Sequence, residues 1–569
     1  MSATSPSTRG APPPPGGPPA RIPGVEARAG RFRGPSLIPE LHAIQAEHGW
    51  LPREELEALA RRTKRPLYEI QGLVSFYPFF RTEAPAPVRI DVCHDLPCWL
   101  RGSDDELAVL RARYGDDAEV EVGEVSCLGR CDTAPAAAVN EHPTPIAEAD
   151  GLVMAARGGG VPLAGTVAYA GDAPWPNDPY TSDDEPYRLL RSMLSGDLDP
   201  AAVIATLKDA GLRGMGGAGF PTGLKWDIVA GQDDPIRYVI CNADESEPGT
   251  FKDRQVMAEQ PHLVLEGMLL GMVVVGANEG IIFIRHEYGP EEHVLHAEVA
   301  RLHELGLLGD DVLGSGRRLD VSIFTSPGGY ILGEETALIE CLEGPRGEPR
   351  NKPPFPGEYG LWGRPTLMNS VETFAHVPVI VERGADWWRD QGRGDAVGLK
   401  FFSVSGDVAE PGVHCVPLGT PVGELLERCG GVRDGRALAA VQPGGASSNL
   451  IGPDQLDLPL DFDPLAEAGT MLGSGAVVAI AEGNDLLAAA TNVLRFFRNE
   501  SCGKCVPCRV GSSKAHDLLR EVLDDGAELD GARRQRIVEL EAVLRRTSIC
   551  GLGQVALGPV KSVLDLPRD

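Results

Sequence analysis

Three cysteines set three residues apart, in Ser501-Cys502-Gly503-Lys504-Cys505-Val506-Pro507-Cys508-Arg509, constrain this chain more than any other feature. A fourth, Cys550, returns after 41 further residues. C-x2-C-x2-C plus one distant thiol has the shape of a [4Fe-4S] site, with three corners met by one compact loop and the last by a separate segment. Zinc also takes four thiolates, but usually as two short Cys pairs, and the second pair is missing here.

A second set lies near the other end. Cys93 and Cys98 are separated by four residues, Cys127 and Cys131 by three, and 28 residues lie between the pairs. Val88-Arg89-Ile90-Asp91-Val92 and Val120 to Val125 alternate as strands, and Asp104 to Tyr114 has helical spacing. Both pairs then sit on loops at the ends of neighbouring strands, where four thiolates suit a [2Fe-2S] cluster or one zinc ion. Redox is favoured because a second cluster-like motif shares the chain. His94, inside the first thiol loop, reads as a polar loop residue. Cys241, Cys341, Cys415 and Cys429 are scattered singly and read as small buried hydrophobes, not a disulfide framework.

The 569-residue chain carries a formal charge of −29, with 53 basic and 82 acidic residues. That balance argues against nucleic-acid binding. The most apolar stretch, Leu263 to Ile284, is interrupted by Glu266, Asn278 and Glu279, so no membrane insertion is expected. With no secretory segment after Met1, a cytoplasmic location is expected. The texture divides into a Pro/Gly/Arg-rich disordered tail over 1–35 and a helical segment over 36–84. A small α/β unit over 85–165, a linker over 166–189, an α/β domain over 190–394, a small β-rich unit over 395–484 and a helical region over 485–569 follow.

Within the larger α/β domain, Gly211-Leu212-Arg213-Gly214-Met215-Gly216-Gly217-Ala218-Gly219-Phe220-Pro221 contains G-x-G-x-x-G. The ordinary dinucleotide fingerprint needs a strand just before it, yet Pro200 to Ala210 reads as a helix. The more general reading survives: bare backbone N–H groups that can approach a ligand closely or cradle phosphate, with Lys225 adding a point charge.

Three stretches, Gly211 to Trp226, Asn242 to Arg254 and Tyr330 to Leu338, resemble the NADH-binding flavoprotein subunit of respiratory complex I and its relatives. Those relatives are the diaphorase subunits of NAD-dependent formate dehydrogenases and NAD-reducing hydrogenases. Residues 36 to about 160 are similar to a different component, the small thioredoxin-like [2Fe-2S] subunit, so the chain resembles a fusion of the two. The implied architecture is a multidomain α/β protein: a helical segment, a thioredoxin-like ferredoxin domain, a Rossmann-like FMN/NADH domain, a β-grasp-like domain and a helical [4Fe-4S] bundle.

The resemblance implies FMN, NAD, [2Fe-2S] and [4Fe-4S] as cofactors, with the eight cysteines Cys93, Cys98, Cys127, Cys131, Cys502, Cys505, Cys508 and Cys550 as cluster ligands. Carried over by position, Gly214, Gly216, Lys225, Asn242, Asp244, Glu245, Tyr330, Gly333 and Asn369 line the flavin, and Gly217 and Gly219 of the same loop are cofactor-binding candidates. Glu247, Glu334 and Glu335 lie where flavin and nicotinamide meet, with Glu247 and Glu335 the catalytic candidates. Phe220, Lys352 and Phe355 contact NADH. Trp226 reads as core. Met215 stands where the complex I subunit has Arg, Ile228 where that family places an aromatic wall, and Ser370 where it has a second Asn. Met215 tilts the resemblance toward formate dehydrogenase diaphorases. The implied partner is a molybdenum- or tungsten-pterin formate dehydrogenase subunit carrying further iron–sulfur clusters, with a hydrogenase or complex I as the alternative.

Overall fold

The computed structural model describes residues 36–160, 171, 174–180, 186–524 and 526–566. The expected tail over 1–35, residues 161–165 and parts of the 166–189 linker lie outside the described residues. Three amphipathic helices, Ile38–His48, Arg53–Thr63 and Leu67–Val74, open the described chain and bury Leu41, Leu56, Leu59 and Ile70. Tyr77, just beyond them, donates its hydroxyl to the Pro345 carbonyl at 2.9 Å, tying this segment to the larger α/β domain.

The first α/β unit is a four-stranded sheet of β1 (Val88–Cys93), β2 (Val120–Val125), β3 (Ala136–Val139) and β4 (His142–Pro145), in the order β2-β1-β3-β4. β1 and β2 are parallel, as their helical crossover Ser103–Tyr114 requires, and the other pairings are antiparallel. Leu107, Leu110 and Val153 pack against Ile90 and Val139.

The larger domain is built on β5 (Tyr238–Ala243), β6 (Glu279–Arg285), β7 (Asp320–Ser326) and β8 (Thr366–Ser370), all parallel, in the order β7-β6-β5-β8. The apolar stretch near residue 263 becomes the helix Pro261–Val275, buried on nearly every side. Its even hydrophobicity comes from a helix with no solvent face. Among the described residues no helix is long and apolar enough to cross a membrane. The helix Val371–Arg389 packs along it.

The small β unit holds β9 (Leu399–Gly406), β10 (Gly412–Pro417), β11 (Leu438–Gln442) and β12 (Ala476–Ala481) in the order β10-β9-β12-β11, with only β9 and β12 parallel. Helices Leu486–Asn499, Val506–Leu523, Gly531–Thr547, Gly551–Val555 and Gly558–Asp565 complete the chain.

Candidate active site and cluster loops

In the parallel sheet the chain runs outward from β5 to β6 and β7, then returns to β8 on the other side of β5. The crevice where strand order reverses, at the carboxyl ends of β5 and β8, is the place such sheets bind ligands. Asn242 and Asn369 lie at the carboxyl ends of these two strands. Asn242, the last residue but one of β5, donates its amide to the Gly333 carbonyl at 2.9 Å. Its own side-chain oxygen accepts the Asp244 N–H at 3.1 Å. Burial pushes the Asp244 carboxyl up to about 7. Asn369, near the end of β8, is buried and accepts from Trp226 Nε1 at 3.0 Å, so Trp226 is core, as read from sequence, and also orients a site residue. The Lys225 ammonium reaches the Met368 carbonyl at 3.0 Å, and burial lowers its pKa against the opposing pull of Glu335.

The glycine loop follows the helix Pro200–Ala210, so an ordinary dinucleotide fingerprint is ruled out here by structure as well as by sequence. Gly214 N–H donates to the Phe220 carbonyl at 2.8 Å and closes the loop. Met215 is held at both backbone groups: its N–H donates to Thr373 Oγ1 at 2.9 Å and its carbonyl accepts from Lys400 Nζ at 3.2 Å. Gly216 and Ala218 are exposed. Gly219 has φ +62°, and a Cβ there would lie 2.8 Å from the Phe462 ring, so only glycine fits. A Cβ at Gly216 would meet Ser370 at 3.3 Å. Gly217 lies across from Gly473 of the small β unit. The exposed backbone at Gly216 and Ala218 would suit a phosphate-bearing cofactor. Phe220 and Phe355 are 43% and 54% exposed, free to stack on a second ring system.

The acidic residues divide by role. Glu247 is buried and accepts from the Ser447 backbone N–H at 2.7 Å and from the Ser447 hydroxyl; burial raises its pKa, and the serine contacts oppose the rise. Tyr330 lies beside it, its hydroxyl 3.3 Å from Ser447 Oγ. Glu334 caps the helix Glu335–Glu343, accepting from Thr336 N–H and Ala337 N–H at 2.9 Å each. Lys352 Nζ pairs with Glu334 at 2.9 Å and with Glu335 at 2.6 Å; burial works against its charge, but the two carboxylates outweigh it and hold its pKa above the usual lysine value. Glu245 stands apart. Its carboxylate accepts from Asp253 N–H at 2.8 Å, Arg254 N–H at 3.1 Å and Tyr288 OH at 3.0 Å, so its side chain organises the helix Lys252–Glu259.

The thiols of the first set gather around Cys127. Cys93 ends β1, Cys98 lies in the short helix Leu96–Trp99, and Cys127 and Cys131 occupy the loop after β2; all four are buried. Cys127 Sγ is 3.5 Å from Cys131 Sγ and accepts the Gly129 N–H at 3.4 Å. Contacts to Cys131 and Cys93 push the Cys127 thiol down and the two partner thiols up, as expected of sulfurs crowded around one site. His94 is buried, burial pushes its pKa down to about 4, and its carbonyl accepts from Asn492 at 2.9 Å and Arg495 at 2.6 Å. The anchoring is done by its backbone, while neither ring nitrogen has a hydrogen-bond partner among the described residues.

In the second set, Cys505 caps the helix Val506–Leu523, Cys508 lies in its first turn, and Cys550 caps Gly551–Val555. Helix N-termini favour thiolate ligands. Burial raises the free thiols, Cys508 to about 11 and Cys550 to about 12, so cluster binding must displace their protons. Among the described residues no three His, Cys, Asp or Glu side chains converge on a single metal ion. Donors spread around a multi-iron cluster need not do so. Lys504 donates to the Pro349 carbonyl at 2.6 Å, setting this loop against the segment that leads to Lys352.

Several site-building residues gave no local signal. Arg285 donates to the Glu245 carbonyl at 2.7 Å and the Cys127 carbonyl at 2.5 Å, bridging flavin crevice and first thiol loop. Arg254 grips Asp132 at 2.7 Å and the Gly129 carbonyl. Glu500 accepts from Ser126 Oγ at 2.9 Å and Tyr330 N–H at 2.8 Å, joining both thiol loops to the crevice. A cavity of about 620 Å³ lies between those loops; of the expected flavin residues only Tyr330 lines it.

A Gly-lined crevice at a strand-order reversal, flanked by two four-thiol sets, defines a flavin- and cluster-bearing component of an oxidoreductase. Residues 207–379 match the Nuo51 FMN-binding domain, 28–152 the thioredoxin-like [2Fe-2S] ferredoxin, 488–569 the NADH-ubiquinone oxidoreductase-F iron-sulfur binding region and 401–448 the SLBB domain. The chain is 42% identical over 379 residues to an F-type component (F 2) of the NADH-quinone oxidoreductase of Rhizobium meliloti (strain 1021), covering 66% of this chain and 89% of the relative. It is 40% identical over 396 residues to the HndC component of the NADP-reducing hydrogenase of Solidesulfovibrio fructosivorans, covering 68% and 79%. A crystal structure of NAD+-reducing [NiFe]-hydrogenase in the H2-reduced state superposes with a TM-score of 0.83 at 33% identity, over 94% of this chain and 92% of that one. The chain belongs to the family of F-type NADH-quinone oxidoreductase components, fused at its N-terminal side to a thioredoxin-like [2Fe-2S] unit. Its cofactors are FMN, NAD(H), a [2Fe-2S] and a [4Fe-4S] cluster.

Proposed function

We propose that this chain is the diaphorase module of a multi-subunit enzyme, joining NAD(H) in the β5/β8 crevice to an iron–sulfur partner. One observation carries the reading. Glu247, Tyr330 and both thiol loops are joined by a run of bonds: Ser447 links Glu247 to Tyr330, Glu500 links Tyr330 to Ser126 beside Cys127, Arg285 links Cys127 to Glu245, and Lys504 ties the second thiol loop to the segment that leads to the Lys352–Glu335 pair. Bound flavin supplies the exchange between hydride and single-electron chemistry, and the clusters carry electrons one at a time. The chain's own residues do the rest. The glycine loop seats the flavin, and Phe220 and Phe355 stack the nicotinamide nucleotide. Lys352, held charged by Glu334 and Glu335, meets its phosphate or ribose groups. Glu247, kept buried by Ser447, orients the nicotinamide amide, and its negative charge speeds product release. Glu247→Gln is expected to change NADH and NAD+ affinities and turnover; unchanged values for all three would remove this role.

For the partner, Met215 in the glycine loop supports a cytoplasmic molybdenum- or tungsten-pterin formate dehydrogenase, from which electrons arrive to make NADH. The alternative, an NAD-reducing hydrogenase, draws on the likeness to such an enzyme along 94% of the chain, including the fused N-terminal units. Metal analysis of the complex purified from its native source separates the two: molybdenum or tungsten supports the first, nickel the second. The isolated chain is expected to reduce dyes with NADH and to leave formate untouched. Formate oxidation by the isolated chain would overturn the division of labour.

A further inference from the structure

A fully buried ionic group lies beneath the glycine loop and takes its members from two domains. Lys400 on β9 of the small β unit and Lys252 of the flavin domain both pair with Glu372 Oε2, at 3.0 and 2.7 Å. The other Glu372 oxygen accepts the Phe401 N–H at 2.8 Å. Lys252 also pairs with Asp253 at 2.7 Å. Lys252, Lys400 and Glu372 are at most 1% exposed. Room for the Lys400 side chain comes from Gly475, where a Cβ would fall 2.5 Å from Lys400 Cε.

Burying two ammonium groups costs more than a packed apolar pair would, so stability alone is a poor account of this cluster. What distinguishes it is where Lys400 ends: its remaining hydrogen bond goes to the Met215 carbonyl, at 3.2 Å. On the opposite side of the same residue, the Met215 N–H is taken by Thr373 Oγ1 at 2.9 Å, one residue along the helix from Glu372. Thr373 is itself held by Ser370 Oγ at 2.9 Å, at the end of β8. Both backbone groups of one loop residue are thus fixed by rigid elements of the scaffold, a strand of the small β unit and a helix of the flavin domain. The loop's next residues, Gly216 to Ala218, are left facing the crevice.

We propose that Lys400 and Thr373 are positioning residues for the flavin: they clamp Met215 so that the adjacent amides stay turned toward the cofactor, and they make docking of the small β unit a condition of tight flavin binding. This rests on the diaphorase reading above. The clamp acts before any chemistry, through pre-organisation of a binding loop. Lys400 supplies a charge-assisted bond and Thr373 a neutral one, so loss of Lys400 is the larger perturbation.

The test uses the full chain with its clusters. FMN is removed reversibly and its dissociation constant is measured by fluorescence, with the low-temperature EPR signals of both clusters as the control for folding. K400M is expected to weaken FMN binding by about tenfold or more, and T373V by a few-fold. In the double variant K400M/T373V the loss should fall well short of the product of the two, because both hold the same residue. FMN affinity within twofold of wild type in K400M with cluster signals intact, or effects that multiply independently, would overturn the clamp. If K400M loses its cluster signals as well, the milder T373V decides, and unchanged FMN affinity in it overturns the proposal. A wild-type chain that binds no FMN would instead sink the diaphorase reading itself.

Discussion

Arg254→Met should release the first cluster loop from the flavin domain. Arg254 is fully buried; its guanidinium makes two bonds to Asp132, at 2.7 and 3.2 Å, and a third to the Gly129 carbonyl. Asp132 is only 8% exposed at its side chain, so removing the arginine strands a carboxylate in a largely dry interface. Breaking one side of such a pair costs about 3–5 kcal/mol. At 1.4 kcal/mol per power of ten, local opening of this loop becomes roughly two to three and a half powers of ten more frequent. Native-state hydrogen exchange read by mass spectrometry on peptides spanning 126–133 measures that opening directly. Peptides from the core of the flavin domain, such as 263–275, should keep their protection. Adding Asp132→Asn should restore much of the loss, because the stranded charge is gone. A change of less than tenfold in the 126–133 peptides would refute the view that this ion pair holds the loop in place.

Cys508→Ser should abolish the [4Fe-4S] EPR signal and electron exchange with a partner protein, while FMN content and NADH-to-dye activity persist in part; equally complete loss of FMN would contradict the separation of the two sites. Gly216→Val should do the opposite, because the position already has only 3.3 Å to Ser370 for a first carbon. FMN is lost and both cluster signals remain; full FMN occupancy would contradict the close-approach argument. Burial raises the Glu266 carboxyl from its ordinary 4.5 to about 7. Between those values the folded chain keeps a proton that the unfolded chain has released, so this component of stability falls as pH rises through the window. In Glu266→Gln the melting temperature should decline less steeply than in wild type between pH 5 and 7; parallel declines would show that Glu266 is not the titrating group.

Chemistry that depends on local spacing was legible in the chain. The two cysteine sets, the glycine loop and the helix before it all declare themselves within a few residues of one another. So did the strand that carries Cys93, through simple alternation. The resemblance then supplied the roles that spacing could not. What stayed hidden was long-range pairing. Arg285, Arg254 and Lys400 look like ordinary charged residues until β6, the helix Lys252–Glu259 and β9 bring them under the crevice. Glu245 and Glu334 each also cap the start of a helix, a structural use that spacing did not reveal, because an acidic group there satisfies backbone N–H groups that otherwise have no partner. Ser447 was silent for a different reason. It belongs to a turn of the small β unit, and nothing local says that this turn faces Glu247.

The central claim is that one polypeptide receives a hydride and passes its electrons on singly. Anaerobic titration of the purified chain with NADH, followed by absorbance and low-temperature EPR, tests it most directly. The expected preparation contains one FMN and about six iron atoms per chain, and NADH bleaches the flavin while raising at least one cluster signal. Iron-containing, flavin-loaded protein whose spectra do not respond to NADH, but do respond to dithionite, would contradict it.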